Sequence, residues 1–146
     1  MPEEIEQKPE SASDKKKIET EELLSMLEDF TKKCDAEKIR IEERLKNENN
    51  GVNVKVNYFI ITEYDEDKEA TGKFFVAYIR EPHILNAVRA LDMMWANKVH
   101  EAGYFLFDTC VLKESSPEVH IDKYKLGLLP GIALLVDTQS PELKKN

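Results

Sequence analysis

The sequence predicts an α+β fold: a β-hairpin packed with a mostly helical domain, preceded by a long charged helix. Three observations predict it. Residues 17–47 contain no Gly or Pro and place apolar side chains at helical spacing. At Val52 the apolar period drops from about 3.6 to about 2, the change expected where helix gives way to strand. From Pro82 the helical period returns and holds to the end of the apolar part of the chain.

The chain of 146 residues is 34% charged and 41% hydrophobic with a formal net charge of -8, which fits one domain with one core. No apolar run approaches the roughly 18 residues needed to span a bilayer. No membrane partner is therefore expected, and the excess of acid repels phosphate backbones, so general nucleic-acid binding is disfavoured. Residues 1–50 hold 15 acidic and 10 basic side chains, so most of the imbalance belongs to the N-terminal third. The segment Met1–Lys17 has no apolar h-region or small-residue cleavage site, which predicts an intracellular, unsecreted protein. Cys34 and Cys110 both fall in helical segments and read as buried or half-buried free thiols.

Residues 1–16 are almost wholly polar and interrupted by Pro2 and Pro9, which predicts a disordered tail. In 17–47, opening near Thr20, the residues Leu23, Leu24, Leu27, Phe30, Cys34, Ile41 and Leu45 make a narrow apolar stripe. Glu28 with Lys32 and Asp29 with Lys33 stand four apart on the charged face. Asn50-Gly51 ends the helix, because this pair tolerates positive φ. The remainder, 48–146, is predicted to be the hairpin and helical domain.

Val52, Val54, Val56, Tyr58 and Ile60 alternate on one side of the first strand, while Phe59 and Ile61 add apolar side chains to the other. The second half of that strand is therefore expected to be covered on both faces. The polar stretch Tyr64–Gly72 turns the chain into a second strand, Lys73–Ile79. Its carboxylates Asp65, Glu66, Asp67 and Glu69 lack the Gly and terminal Glu of a helix-loop-helix calcium loop and read as solvated charge. A hairpin alone is marginal, so it must pack on the helices or extend into a partner's sheet.

Pro82 opens a helix on which Ile84, Leu85, Val88, Leu91 and Trp95 recur at helical spacing. A further helical stretch, continuous with it or separate, is expected over 96–112 with Val99, Ala102, Phe105, Leu106, Thr109 and Cys110 inward and Gly103 as a weak point. Ser116-Pro117-Glu118 has the order of an N-terminal cap and opens a short helix that Gly127 ends. Pro130-Gly131 then restarts the chain into the apolar run Ile132–Val136, and Pro141–Asn146 is a polar end.

The sequence offers no constellation of catalytic groups. His83, His100 and His120 are scattered, the two cysteines are unpaired with them by spacing, and the five glycines are dispersed rather than gathered into a phosphate loop. No metal, cofactor or nucleotide is expected. The unusual concentration is Met93-Met94-Trp95 with Phe105 and Phe107 beyond, because adjacent apolar residues on a helix must bury both faces or offer one. Met and aromatic side chains suit an adaptable groove for an apolar helix, and they also fill ordinary cores.

The order of elements, with Phe75-Val76-Ala77-Tyr78-Ile79-Arg80-Glu81-Pro82 before the helices and Leu106-Phe107-Asp108-Thr109-Cys110-Val111-Leu112 within them, resembles the small tail assembly chaperones of long-tailed bacteriophages. Arg80-Glu81-Pro82 and Cys110-Val111 match that family's arrangement, and the similarity spans about residues 52–140; the long charged N-terminal helix departs from it. The resemblance implies a non-enzymatic protein of the host cytoplasm that coats an aggregation-prone helical tape measure protein and helps recruit tail tube subunits. It places the contact surface on Leu85, Met93, Met94, Trp95, Phe105, Leu128 and Leu129. The alternative expectation is a non-enzymatic structural or adaptor protein that forms a homo-oligomer through its helices.

Overall fold

A computed structural model describes residues 18–138, so the expected N-terminal tail and the polar C-terminal end lie outside the described residues. Its fold class is the expected α+β. Helix α1 (Thr20–Glu48) leads into an antiparallel hairpin of β1 (Val56–Tyr64) and β2 (Ala70–Arg80). Helices α2 (Ile84–Trp95) and α3 (Val99–Cys110), a 3-10 turn at Pro117–His120 and helix α4 (Asp122–Thr138) follow.

The hairpin is the middle of three layers, and the alternation of its side chains assigns each to a neighbour. Val56, Val76 and Tyr78, with Tyr58 and Ile60 beside them, pack under Cys34, Ile41 and Leu45 of α1. Phe75, Ala77 and Ile79, with Phe59 and Ile61, face α2, α3 and α4. The expectation of a strand covered on both faces is met, and it is met by the chain's own helices. The α1 stripe therefore docks on its own domain. Only its C-terminal half supplies fully buried residues, since Leu23 and Leu27 are half-buried and Leu24 is exposed.

Asn50 (φ 57) and Gly51 (φ 85) both take the left-handed conformation, and the Gly51 amide bonds back to Lys46 O at 2.8 Å, which closes α1 where expected. The first strand starts later than the alternation suggests. Val54 is buried, but Val52 is exposed and pairing begins at Val56, where the Glu42 carboxylate of α1 accepts the Val56 amide at 3.0 Å. Glu81 holds the open end of the hairpin: its amide donates to Lys55 O at 2.8 Å, and its carboxylate accepts the Lys55 amide at 3.0 Å. At the closed end Asp65 accepts the amides of Asp67 and Glu69 at 2.9 and 3.0 Å, so this loop carboxylate organises its own turn.

The outer edge of β2 is strapped by residues 111–116. Val111 bridges to Ile79, and the amides of Leu112 and Ser116 donate to Tyr78 O and Val76 O at 2.9 and 2.8 Å. The hydroxyls of Ser115 and Ser116 accept the amides of Tyr78 and Val76, each at 2.9 Å. Ser116 therefore caps a strand edge rather than a helix. It makes no side-chain cap bond to the Pro117–His120 turn that follows. Arg44 of α1 holds the strap from the other side, 2.6 Å from Glu114 and 2.9 Å from Glu48. Burial works against the Arg44 charge, but the two carboxylates outweigh it and hold its pKa above the ordinary value.

In the C-terminal part the structure decides between two alternatives at one point and corrects the expectation at another. The stretch over 96–112 is a separate helix from α2, because Ala96–Lys98 break the run and Asn97 adopts φ 62. Neither Gly127 nor Pro130-Gly131 interrupts the last helix, which runs through all three. Leu128, Leu129, Ile132, Ala133 and Val136 form a continuous buried stripe along it. Burying each large side chain contributes about 1.5–3 kcal/mol, which together exceeds the roughly 3 kcal/mol that an interior proline costs. The carbonyl that Pro130 leaves without its helical donor is that of Leu126, an exposed residue.

Candidate protein-binding surface

The buried stripe of α2 is Ala87, Ala90, Leu91 and, half-buried, Met94, all packed into the core shared with α3 and α4. These residues follow one another at three, four and seven, which is the pattern of one helix face. The small alanines let α2 approach its neighbours closely, and the larger apolar side chains are displaced to the flank. Ile84, Val88 and Trp95 project within about 40° of each other around the helix, and they are 68%, 43% and 73% exposed. Leu85, at 79%, extends the patch toward the start of α2. Asp92 and Arg89, both exposed, give the patch a charged margin.

The expected contact residues are thus divided. Leu85 and Trp95 stand in this patch. Met93 and Met94 lean on the core and are half-buried, so the Met-Met-Trp cluster is part core and part surface. Phe105 is half-buried on α3, with the Arg89 guanidinium 5.5 Å above its ring, which places it on the other flank of α2 from Trp95. Leu128 and Leu129 are corrected outright. At 7% and 2% exposure they belong to the α4 core stripe and offer no surface to a partner. Ile84 and Val88 share the helical period with the buried residues, so the period alone does not tell the inward face from the exposed one. The alanines one residue before Val88 and two after it carry the better-matched stripe, which was the available signal.

A second concavity lies between α1 and the α1-facing side of β2. This open groove of about 460 Å³ is lined by Phe30, Cys34, Glu37, Arg40, Tyr78 and Glu114, among others. Burial pushes the Cys34 thiol up despite its hydrogen bond with Tyr78. Burial and the neighbouring Cys34 also raise the Tyr78 hydroxyl. Tyr58 donates its hydroxyl to Asp35 at 2.5 Å and is pushed up to about 12, first by that hydrogen bond and then by burial. At neutral pH these groups stay protonated, so the groove presents neutral donors and no thiolate. Cys110 is likewise buried and raised, chiefly by desolvation. His83, His100 and His120 are exposed, and no group of three or more His, Cys, Asp or Glu among the described residues is arranged to hold a metal ion. No helix among them is long and apolar enough to cross a membrane.

Fold and surface together define a class: an α+β protein whose central hairpin lies between a long helix and a helical layer, with an apolar row displayed on α2. No protein family, curated protein or solved structure matches the chain.

Proposed function

We propose that this chain is a non-catalytic protein-binding module that covers an apolar helical segment of a partner. In its particular form, we assign it as a tail assembly chaperone of a long-tailed bacteriophage, working in the host cytoplasm, with the tape measure protein as client and tail tube subunits as further partners. The observation that carries the reading is the row Ile84, Val88 and Trp95, with Leu85 beside it, on a helix held rigidly by its alanine face. An amphipathic client helix laid along such a row buries its own apolar face, while the acidic exterior keeps the complex dispersed. The order of elements around Arg80-Glu81-Pro82 and Cys110-Val111 supports the phage assignment.

The test is co-expression with a tape measure protein, followed by measurement of that protein's soluble fraction. The fraction is expected to rise with this chain and to fall back with the Ile84→Ser, Trp95→Ser double variant. Equal solubility with and without the chain removes the assignment. The alternative, a structural or adaptor protein that oligomerises through its helices, has less support, because the α1 stripe it would use already packs on the hairpin.

A further inference from the structure

β1 has the composition of an interior strand and the position of an edge strand. Its run Tyr58-Phe59-Ile60-Ile61 is apolar on both faces, and no charge or proline occurs from Val56 to Thr62. Strands that end a sheet usually carry Lys, Pro or a bulge that discourages further pairing. The irregularity in this hairpin, opposite Thr62 and Tyr64, places the extra residues on β2 and leaves β1 regular. The two strands are also buried unequally. β2 is fully buried from Phe75 to Ile79 beneath its strap, whereas β1 is only half-buried from Asn57 to Glu63.

The strap fixes which backbone groups of β1 are open. Val76 and Tyr78 direct their amides and carbonyls to the strap, so Phe75, Ala77 and Ile79 pair with Ile61, Phe59 and Asn57. Tyr58, Ile60 and Thr62 therefore direct theirs away from β2, and no backbone partner meets them among the described residues.

We propose that a second copy of this chain occupies this edge, with the two β1 strands antiparallel about a two-fold axis through Ile60. Ile60 is the midpoint of Val56–Tyr64, so this register centres on the strand and leaves the Val56 amide with its Glu42 acceptor. Ile60 meets Ile60 of the second copy and Tyr58 meets Thr62, in the closely hydrogen-bonded pairs that the outward groups require. Phe59 meets Ile61 on the helical face, an aromatic and β-branched pair that favours cross-strand packing. Just beyond the strand ends, exposed Lys55 lies opposite Asp65, so the register also matches charge. The axis stands perpendicular to the sheet, so a four-stranded sheet forms with both α1 helices on one face and both helical layers on the other. This pairing uses a different surface from the α2 row and is independent of the client assignment.

The experiment measures the mass of the full chain in solution across concentration, with hydrogen exchange at the same concentrations. Expected are a species of twice the chain mass and amides of Tyr58, Ile60 and Thr62 whose protection rises with concentration. Thr62→Pro removes an amide that β2 does not use, and it is expected to yield a monomer with an unchanged far-ultraviolet spectrum. If that variant fails to fold, the exchange of the unaltered chain decides. A monomer at every concentration overturns the proposal. So do a dimer whose Ile60 amide exchanges freely and a concentration-independent protection, which would mean that another part of the same chain covers the edge.

Discussion

Gly103 has no side chain because the backbone of α4 lies where its Cβ would be: the carbonyl of Leu129 occupies that space. The sequence marks this glycine as a weak point in α3, yet it is the contact that lets two helices touch through their main chains. Neither backbone yields as a flexible side chain does. Gly103→Ala is therefore expected to lower stability by about 1–3 kcal/mol despite the better helix propensity of alanine, read as a lower urea midpoint. Protonation state is also set locally. Tyr58, pushed up to about 12, and the buried Tyr78 keep their protons in the folded chain after the unfolded chain has lost them near pH 10. The unfolded state then binds fewer protons, so stability falls as pH rises from about 10 through 12. Tyrosinate absorbance and far-ultraviolet circular dichroism followed together in this window are expected to change in one step. The two raised thiols act with the same sign and begin earlier, because unfolded cysteine ionises at about pH 8.5, so they add to the fall in stability from about pH 8 upward.

At the scale of elements, hydrophobic period located each segment more reliably than it located the inward face. In α2 the larger side chains Ile84, Val88 and Trp95 share the helical period with the core, and the buried side belongs to Ala87 and Ala90. A pair of variants separates these roles. Ala90→Leu overfills a fully buried site and should cost about 1–3 kcal/mol, whereas Ile84→Ser should stay within about 0.5 kcal/mol, both from thermal melts. In α4, proline and glycine were read as punctuation, but a buried stripe of five residues carries the helix through them. The strap is a third case, since Ser116 looks like the entry to a helix, and its hydroxyl and that of Ser115 instead serve the Val76 and Tyr78 amides of β2. Ser116→Ala leaves the Val76 amide without its acceptor and is expected to cost about 1–3 kcal/mol by urea unfolding.

Across the whole molecule, the hairpin is stable because each face has a helix layer and one edge has a strap. Two strands alone would not hold. The charge follows the same plan: α1 turns its apolar stripe to the hairpin and most of its acids and bases to solvent, with Glu42 and Arg44 turned inward to hold β1 and the strap. Trp95, the only tryptophan, reports on the opposite layer. Because it is largely exposed, its fluorescence in the free chain should resemble that of tryptophan in water and should shift to the blue when an apolar helix covers the α2 row. Trp95→Ser should leave the melting temperature nearly unchanged while abolishing that binding, measured by calorimetry. An unfolded Trp95→Ser variant would instead place this side chain in the core.

The order of helices and strands, the α1 boundary at Asn50-Gly51, the two-sided cover of the hairpin and the buried state of both thiols were all legible from the residues. Each depends on local propensity or on a period that neighbouring side chains share. The inward face of α2, the continuity of α4 through Pro130, the role of Gly103 and the placement of Leu128 and Leu129 in the core were decided only by tertiary structure. Each of these depends on what a distant segment presents: an alanine seam, a carbonyl, a strand edge in need of an acceptor. Local pattern states which residues are apolar, and packing between segments far apart in the chain determines which of them are left for a partner.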